Sequence, residues 1–206
     1  MLSRKRIFLG LLAPIAVAGC ATTPYTGPVQ VTRFHDAEAV AQIGKGTIFI
    51  ESAAGQEEQS LELAPYKSAI AGELSRLGYQ EASRDAADYV AQIRLDRYAR
   101  TSEGGRRGPV NVGVGGSTGS YGSGVGLGVG INLGGGKSRE RLGTDLGVMI
   151  RSKDSGKTLW EGRANLEVSP GSYLESANAN ASAISEALFR EFPGNNGETI
   201  DIEVNE

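Results

Sequence analysis

Apolar and polar positions change period several times along this chain, and each change predicts an element. PVQVTRFHD, from Pro28, alternates weakly and reads as a first strand. GTIFIES, residues 46–52, is a stronger one, β-branched and aromatic between a glycine and a polar run. The period then lengthens. In LAPYKSAIAGELSRLGY, Tyr66, Ile70, Leu74 and Leu77 recur at three and four and form one apolar helical stripe. Pro65 suits its first turn and Gly78 its C-terminal cap. YVAQIRLDRY returns to period two and sets Tyr89, Ala91, Ile93 and Leu95 against Gln92, Arg94 and Asp96, a half-buried strand.

Farther on, Leu146, Val148 and Ile150 alternate, KDSGK supplies turn chemistry, and Trp160, Ala164, Leu166 and Val168 alternate again. That is a hairpin, and Asp154 is read as a turn residue rather than a catalytic acid. SYLESANANASAISEALFREF predicts a second helix with the stripe Ala177, Ala181, Ile184, Leu188 and Phe192, stopped by Pro193 and Gly194. ETIDIEV ends the pattern as an edge strand whose acids discourage further pairing. The order strand, strand, helix, strand, hairpin, helix, strand predicts an α+β fold. It is a two-layer sandwich, a mostly antiparallel sheet with two helices on one face. No segment recurs at the period of a solenoid.

Between the strand near Tyr98 and the one near Leu146 lies a glycine-rich insert, about residues 104–136, ending in GVGLGVGINLGGGKS. The final Gly136-Lys137-Ser138 invites a phosphate-loop reading, but that motif needs a glycine where Ile131 stands and a helix after it. The dinucleotide fingerprint G-x-G-x-x-G also fails at every register between Gly113 and Gly136. Val125, Leu127, Val129, Ile131 and Leu133 alternate with glycine and Asn132, and Val110, Val112 and Val114 alternate with Asn111 and Gly113. Residues 110–133 are therefore expected to form a glycine-rich β-hairpin with one aliphatic face. Gly122, Gly126, Gly130 and Gly134 share the spacing of close-packed membrane helices, yet the apolar run is too short to span as one. Two readings stand: a hairpin extending the sheet, or a surface covered by a second copy, another β-edge or lipid.

The opening MLSRKRIFLGLLAPIAVAGC carries Arg4, Lys5 and Arg6 before an apolar stretch too short for a permanent span. VAGC resembles the lipobox of bacterial lipoproteins, which implies cleavage before Cys20 and a diacylglyceryl group on its thiol. Cys20 is the sole cysteine among 206 residues, so no intramolecular disulfide competes for it. Residues 1–19 are then a signal peptide, 20–28 a tether anchored through Cys20, and 29–206 one domain. Ala21 stands where an aspartate would resemble the inner-membrane retention signal, which implies the outer membrane and its periplasmic side. Removing residues 1–19 takes the formal charge from −3 to −6, which argues against nucleic acid and for a body held off an anionic membrane.

Little else suggests chemistry. His35, the only histidine, falls on or beside the first strand and is read as packing or facing solvent. With Cys20 lipidated, thiol catalysis and thiolate metal sites are excluded. Asp85 and Asp88 are three apart and lack the ligand ring calcium requires; they solvate a turn. Glu57 and Glu58 are placed in a polar loop without a partner, and Trp160 is read as core rather than as a pocket wall with Tyr173. No catalytic, cofactor or metal residue is assigned, and the expectation is a non-enzyme.

VAGC, TIFIES with YKSAIAGELSRLGY, AADYVAQIRL, GKTLWEG and the helix ending LFREFP together resemble the lipoproteins of domain-of-unknown-function family 4136. The resemblance covers most of the chain after Cys20 and implies fold and location without an activity. The expected role is an accessory or binding module of the cell envelope, held at the membrane by Cys20. It would bind an envelope partner or itself through residues 110–133. Alternatives are an oligomeric membrane-associated assembly built on that hairpin, or a periplasmic hydrolase recruiting His35.

Overall fold

The computed structural model describes residues 23–38, 43–100, 106–107, 114–115, 126–127 and 140–204. Cys20 and the signal segment lie outside them, as does most of the expected hairpin.

Seven strands form one open sheet. They are β1 (Val29–His35), β2 (Gly46–Ser52), β3 (Tyr79–Glu81), β4 (Tyr89–Arg100), β8 (Arg141–Ser152), β9 (Thr158–Val168) and β10 (Thr199–Ile202). The order across the sheet is β10-β1-β9-β8-β4-β2-β3, and the two-residue β5 (Arg106–Arg107) joins β4 beyond β2. Two further short strands, β6 (Val114–Gly115) and β7 (Gly126–Leu127), pair antiparallel, Val114 with Leu127 and Gly115 with Gly126. These are the only rungs of the predicted hairpin within the described residues.

The antiparallel expectation holds for most of the sheet, with one exception: β2 runs parallel to both β3 and β4. Helix α1 (Ala64–Arg76) carries the chain from β2 back to the start of β3, and a crossover of that length makes a parallel return. The pattern passed over β3 because three residues are too few to show a period. α1 buries Tyr66, Ile70 and Leu74 as the stripe predicts, and Gly78, at φ +107°, donates its N–H to the Ser75 carbonyl at 3.0 Å.

The second helix is shorter than its stripe. Residues Tyr173–Glu175 form one 3₁₀ turn, Ser176 is extended, and α2 covers Ala177–Phe189. Arg190 is extended and Glu191 has φ 57°, so Phe192 reaches the core from a turn rather than from the helix. There it meets Trp160 and Phe189 at ring-centroid distances of 5.1 and 6.0 Å. Both helices lie over one face of the sheet, packed on Ile48, Ala91, Ile93, Leu146, Val148, Ile150, Trp160, Ala164 and Leu166. Tyr66 donates its hydroxyl to Asn180 Oδ1 at 2.9 Å, and Asn180 Nδ2 donates to the Leu174 carbonyl at 3.0 Å. These bonds join α1, α2 and the 3₁₀ turn within the apolar layer.

The tether expected over residues 20–28 is docked over much of its described part. Tyr25 and Ser169 exchange bonds, Gly27 donates to the Glu167 carbonyl at 3.0 Å, and Thr26 bridges Val168. Unpaired N–H and C=O groups at the end of β9 would otherwise be left to solvent, and this short segment satisfies them.

Candidate functional site

The strands alternate, so the side chains not under the helices form a second face, and no layer of the described structure covers it. Its rows follow from the register. Asp96, Asp145, Asn165, Gln30 and Asp201 are successive neighbours across β4, β8, β9, β1 and β10. The next row is Arg94, Gly147, Arg163 and Thr32, followed by Gln92, Met149, Glu161 and Phe34. These rows line a groove of about 510 Å³.

Gly147 opens the floor. A Cβ there would come no closer than 3.7 Å to Arg94 Cβ, so the arginines on either side face an unfilled trough. Arg163 is held by Glu161 at 2.7 Å, whereas Arg94 is exposed and makes no ion pair among the described residues. One row away Asn165 donates to Asp145 at 2.5 Å and to the Tyr98 hydroxyl at 3.2 Å. The groove thus presents guanidinium donors beside carboxylate acceptors at fixed spacing, suited to a polar ligand carrying both charges.

One corner of this face is closed. The Glu51 carboxylate, 8 % exposed, accepts from Arg84 and Arg151 at 2.7 Å each and from Gln92 at 3.2 Å. Arg84 also lies 5.7 Å over the Phe49 ring. A buried carboxylate is tolerated only with such partners, and this one pins the β3–β4 loop across the sheet.

The residues weighed from the sequence are dispersed. His35 ends β1 under the helix layer beside Trp160, with Nδ1 buried and unpartnered among the described residues. Asp88 accepts from the Thr47 N–H and hydroxyl at 2.9 and 2.8 Å; these bonds, backbone first, hold its carboxyl below the usual range. Asp85 offers its carbonyl to Lys153 at 2.6 Å. Asp154 lies in the β8–β9 turn.

Glu58 is a correction, because it has partners. Burial pushes its carboxyl up, but bonds from Lys67 and from Ser52, whose N–H donates at 2.9 Å, outweigh that and lower it. The pair closes the β2–α1 loop, a contact between residues nine apart that no local pattern displays. Trp160 is fully buried and Tyr173 is 67 % exposed, so they share no pocket. No group of three or more His, Cys, Asp or Glu able to hold a metal occurs among the described residues, and no described helix is long and apolar enough to cross a membrane.

Arg94, Gly147 and Arg163 were not singled out from the sequence. A glycine inside an alternating strand, as in LGVMI, does mark a gap or a close approach, but which strands flank it is a property of the sheet.

Residues 34–194 match the family model described as "Domain of unknown function (DUF4136)". No curated protein matches the chain. Among solved structures it is similar to a PelC dodecamer from Paraburkholderia phytofirmans, at 11% identity and TM-score 0.42, over 78% of this chain and 94% of that one. It is also similar to a PDZ domain protein from Parabacteroides distasonis, at 15% identity and TM-score 0.48, over 86% of this chain and 38% of that one.

Proposed function

The chain belongs to the DUF4136 family, and from that premise we propose that it is a non-catalytic binding module, lipid-anchored through Cys20 to the periplasmic side of the outer membrane. The observation that carries the binding reading is the groove on the open face, where Arg94 and Arg163 flank the unfilled floor at Gly147. An ordinary solvated sheet face fills its rows with side chains that pair one another. Here the Arg94 guanidinium has no ion-pair partner among the described residues and stands beside a vacant trough, and its charge is available to a ligand. The sequence VAGC supports the anchor.

Two experiments test the parts separately. Palmitate labelling of the chain in cells should be lost in Cys20→Ser, and label persisting in that variant overturns the anchor. A photo-crosslinking residue at position 147 should capture one discrete envelope component, whereas the same residue at position 154, in the far turn, should not. Arg94→Ala should reduce that adduct several-fold. Absence of any adduct at 147, or equal adducts at both positions, overturns binding through this face.

A further inference from the structure

The docked segment at Tyr25 settles which end of the sheet is nearest Cys20. Four residues lie between Cys20 and Tyr25, so over five chain steps the α-carbon of Cys20 stays within about 18 Å of that end. The opposite end, with the β8–β9 turn, lies about 36 Å away along β8.

The near end has its own chemistry. Arg100 and Arg141 are cross-strand neighbours on β4 and β8, and like charges so placed repel unless an anion joins them. Arg100 reaches Glu167 at 2.9 Å, one carboxylate for the two cations. Arg141 stacks 3.5 Å over the Tyr25 ring, and its Nη1 is buried without a hydrogen-bond partner among the described residues. Two of the large apolar side chains that remain exposed, Tyr25 and Tyr173, lie at this end, joined through the Thr26–Ser172 bond of 2.9 Å. Exposed tyrosines beside arginines suit the headgroup layer, where an amphipathic ring and a guanidinium both find partners. Of the other acids at this end, Glu140 directly precedes Arg141, and Glu175 is engaged by the Gly171 N–H at 2.7 Å.

We propose that this end, with Tyr25, Arg100, Arg141 and Tyr173, is a membrane-docking surface whose arginines bind the anionic headgroups of the leaflet that holds the lipid on Cys20. It rests on the anchor proposed above. The net acidity of the chain as a whole does not decide it, because screening limits each charge to roughly 8 Å at physiological salt, and the Arg100–Arg141 pair lies on the end nearest Cys20. The remainder of the sheet, including the groove at Gly147, then projects away from the membrane toward soluble partners. The glycine-rich insert, which leaves β4 after Arg100 and returns at Arg141, is rooted at the same end.

The test uses the full chain purified from membranes in detergent, its mass reporting the lipid. Pro170→Cys and Asp154→Cys, both at exposed turn positions, carry a nitroxide. The protein is reconstituted in phosphatidylcholine vesicles with and without phosphatidylglycerol. In anionic vesicles the label at 170 should be relaxed by lipid-dissolved oxygen several-fold more than the label at 154. That contrast should shrink in neutral vesicles, at high salt, and in the doubly substituted Arg100→Gln, Arg141→Gln chain. A mass without lipid overturns the anchor and this orientation together. A lipidated chain whose two labels are equally relaxed, or whose contrast ignores phosphatidylglycerol, overturns the docking surface alone. The neutral-versus-anionic comparison needs no arginine variant and stands if those variants misfold.

Discussion

Arg33 points from β1 into the helix layer, only 3 % exposed, and donates to the Ala187 and Leu188 carbonyls at 2.9 Å each. These are carbonyls of the last turn of α2, which have no partner within the helix, at the end where the helix dipole favours a cation. Burial lowers the Arg33 pKa, with the nearby Glu191 opposing that shift. Arg33→Met keeps the packing of the stem and removes both bonds. A loss of about 2–3 kcal/mol is expected from urea unfolding, and a change within experimental error would show that the cap contributes nothing. Asp88 provides a second residue-scale prediction. Its carboxyl titrates lower folded than unfolded, so its stabilisation is complete above its ordinary value of about 4 and is lost as pH falls below it. Glu58 has the same sign. In Asp88→Asn the urea midpoint should therefore be lower at neutral pH and fall less steeply on acidification; a decline parallel to the parent's excludes that role.

At the scale of elements, β4 and β8 pair along their whole length, from Tyr89 with Ser152 to Arg100 with Arg141. The insert is thus a detour between two strands already in register. Deleting residues 110–134 should leave a single cooperative thermal transition near the parent's, while loss of that transition would place the hairpin in the core. Loop-closure entropy changes slowly with length, so the shorter connection costs little. Its period-two pattern is borne out at two rungs, Val114 with Leu127 and Gly115 with Gly126; its remaining residues lie outside those described.

For the whole molecule, the governing asymmetry is between a covered face and an open one. Two glycines on adjacent strands measure it. Gly162 lies beneath the Trp160 indole, and a Cβ there would also come within 2.7 Å of Leu188 Cδ1. Since Trp160 is fully buried and stacked on Phe189 at 5.3 Å, neither can retreat. Gly162→Ala should cost about 2–3 kcal/mol through overpacking. Gly147, on the open face, has room and an ordinary backbone, so Gly147→Ala should raise stability by about 0.5 kcal/mol. Equal effects from the two would mean that the open face is covered too.

The division between what was legible in the sequence and what was not follows from range. Period alone placed GTIFIES in β2, the Tyr66–Ile70–Leu74 stripe in α1, both arms of the β8–β9 hairpin and the edge strand β10, because each is a repeat within one element, and burial of one face is the strongest constraint on such a repeat. The α+β class followed from their order. The anchor proposed at Cys20 rests on chain chemistry alone, the sequence VAGC. The tertiary structure decided everything that depends on which strands become neighbours. It made β2 parallel to β4, brought Glu58 to Lys67, carried Arg33 to the end of α2, and set Arg94 and Arg163 across Gly147. It also laid Tyr25 against Ser169, beside the arginine pair. Apart from Glu58 and Lys67, nine residues apart across a loop, those partners are tens of residues apart or face one another across strands, and a side chain's own sequence window holds no record of them. Register, not period, puts them together, and register is fixed only when the whole sheet closes over its buried face.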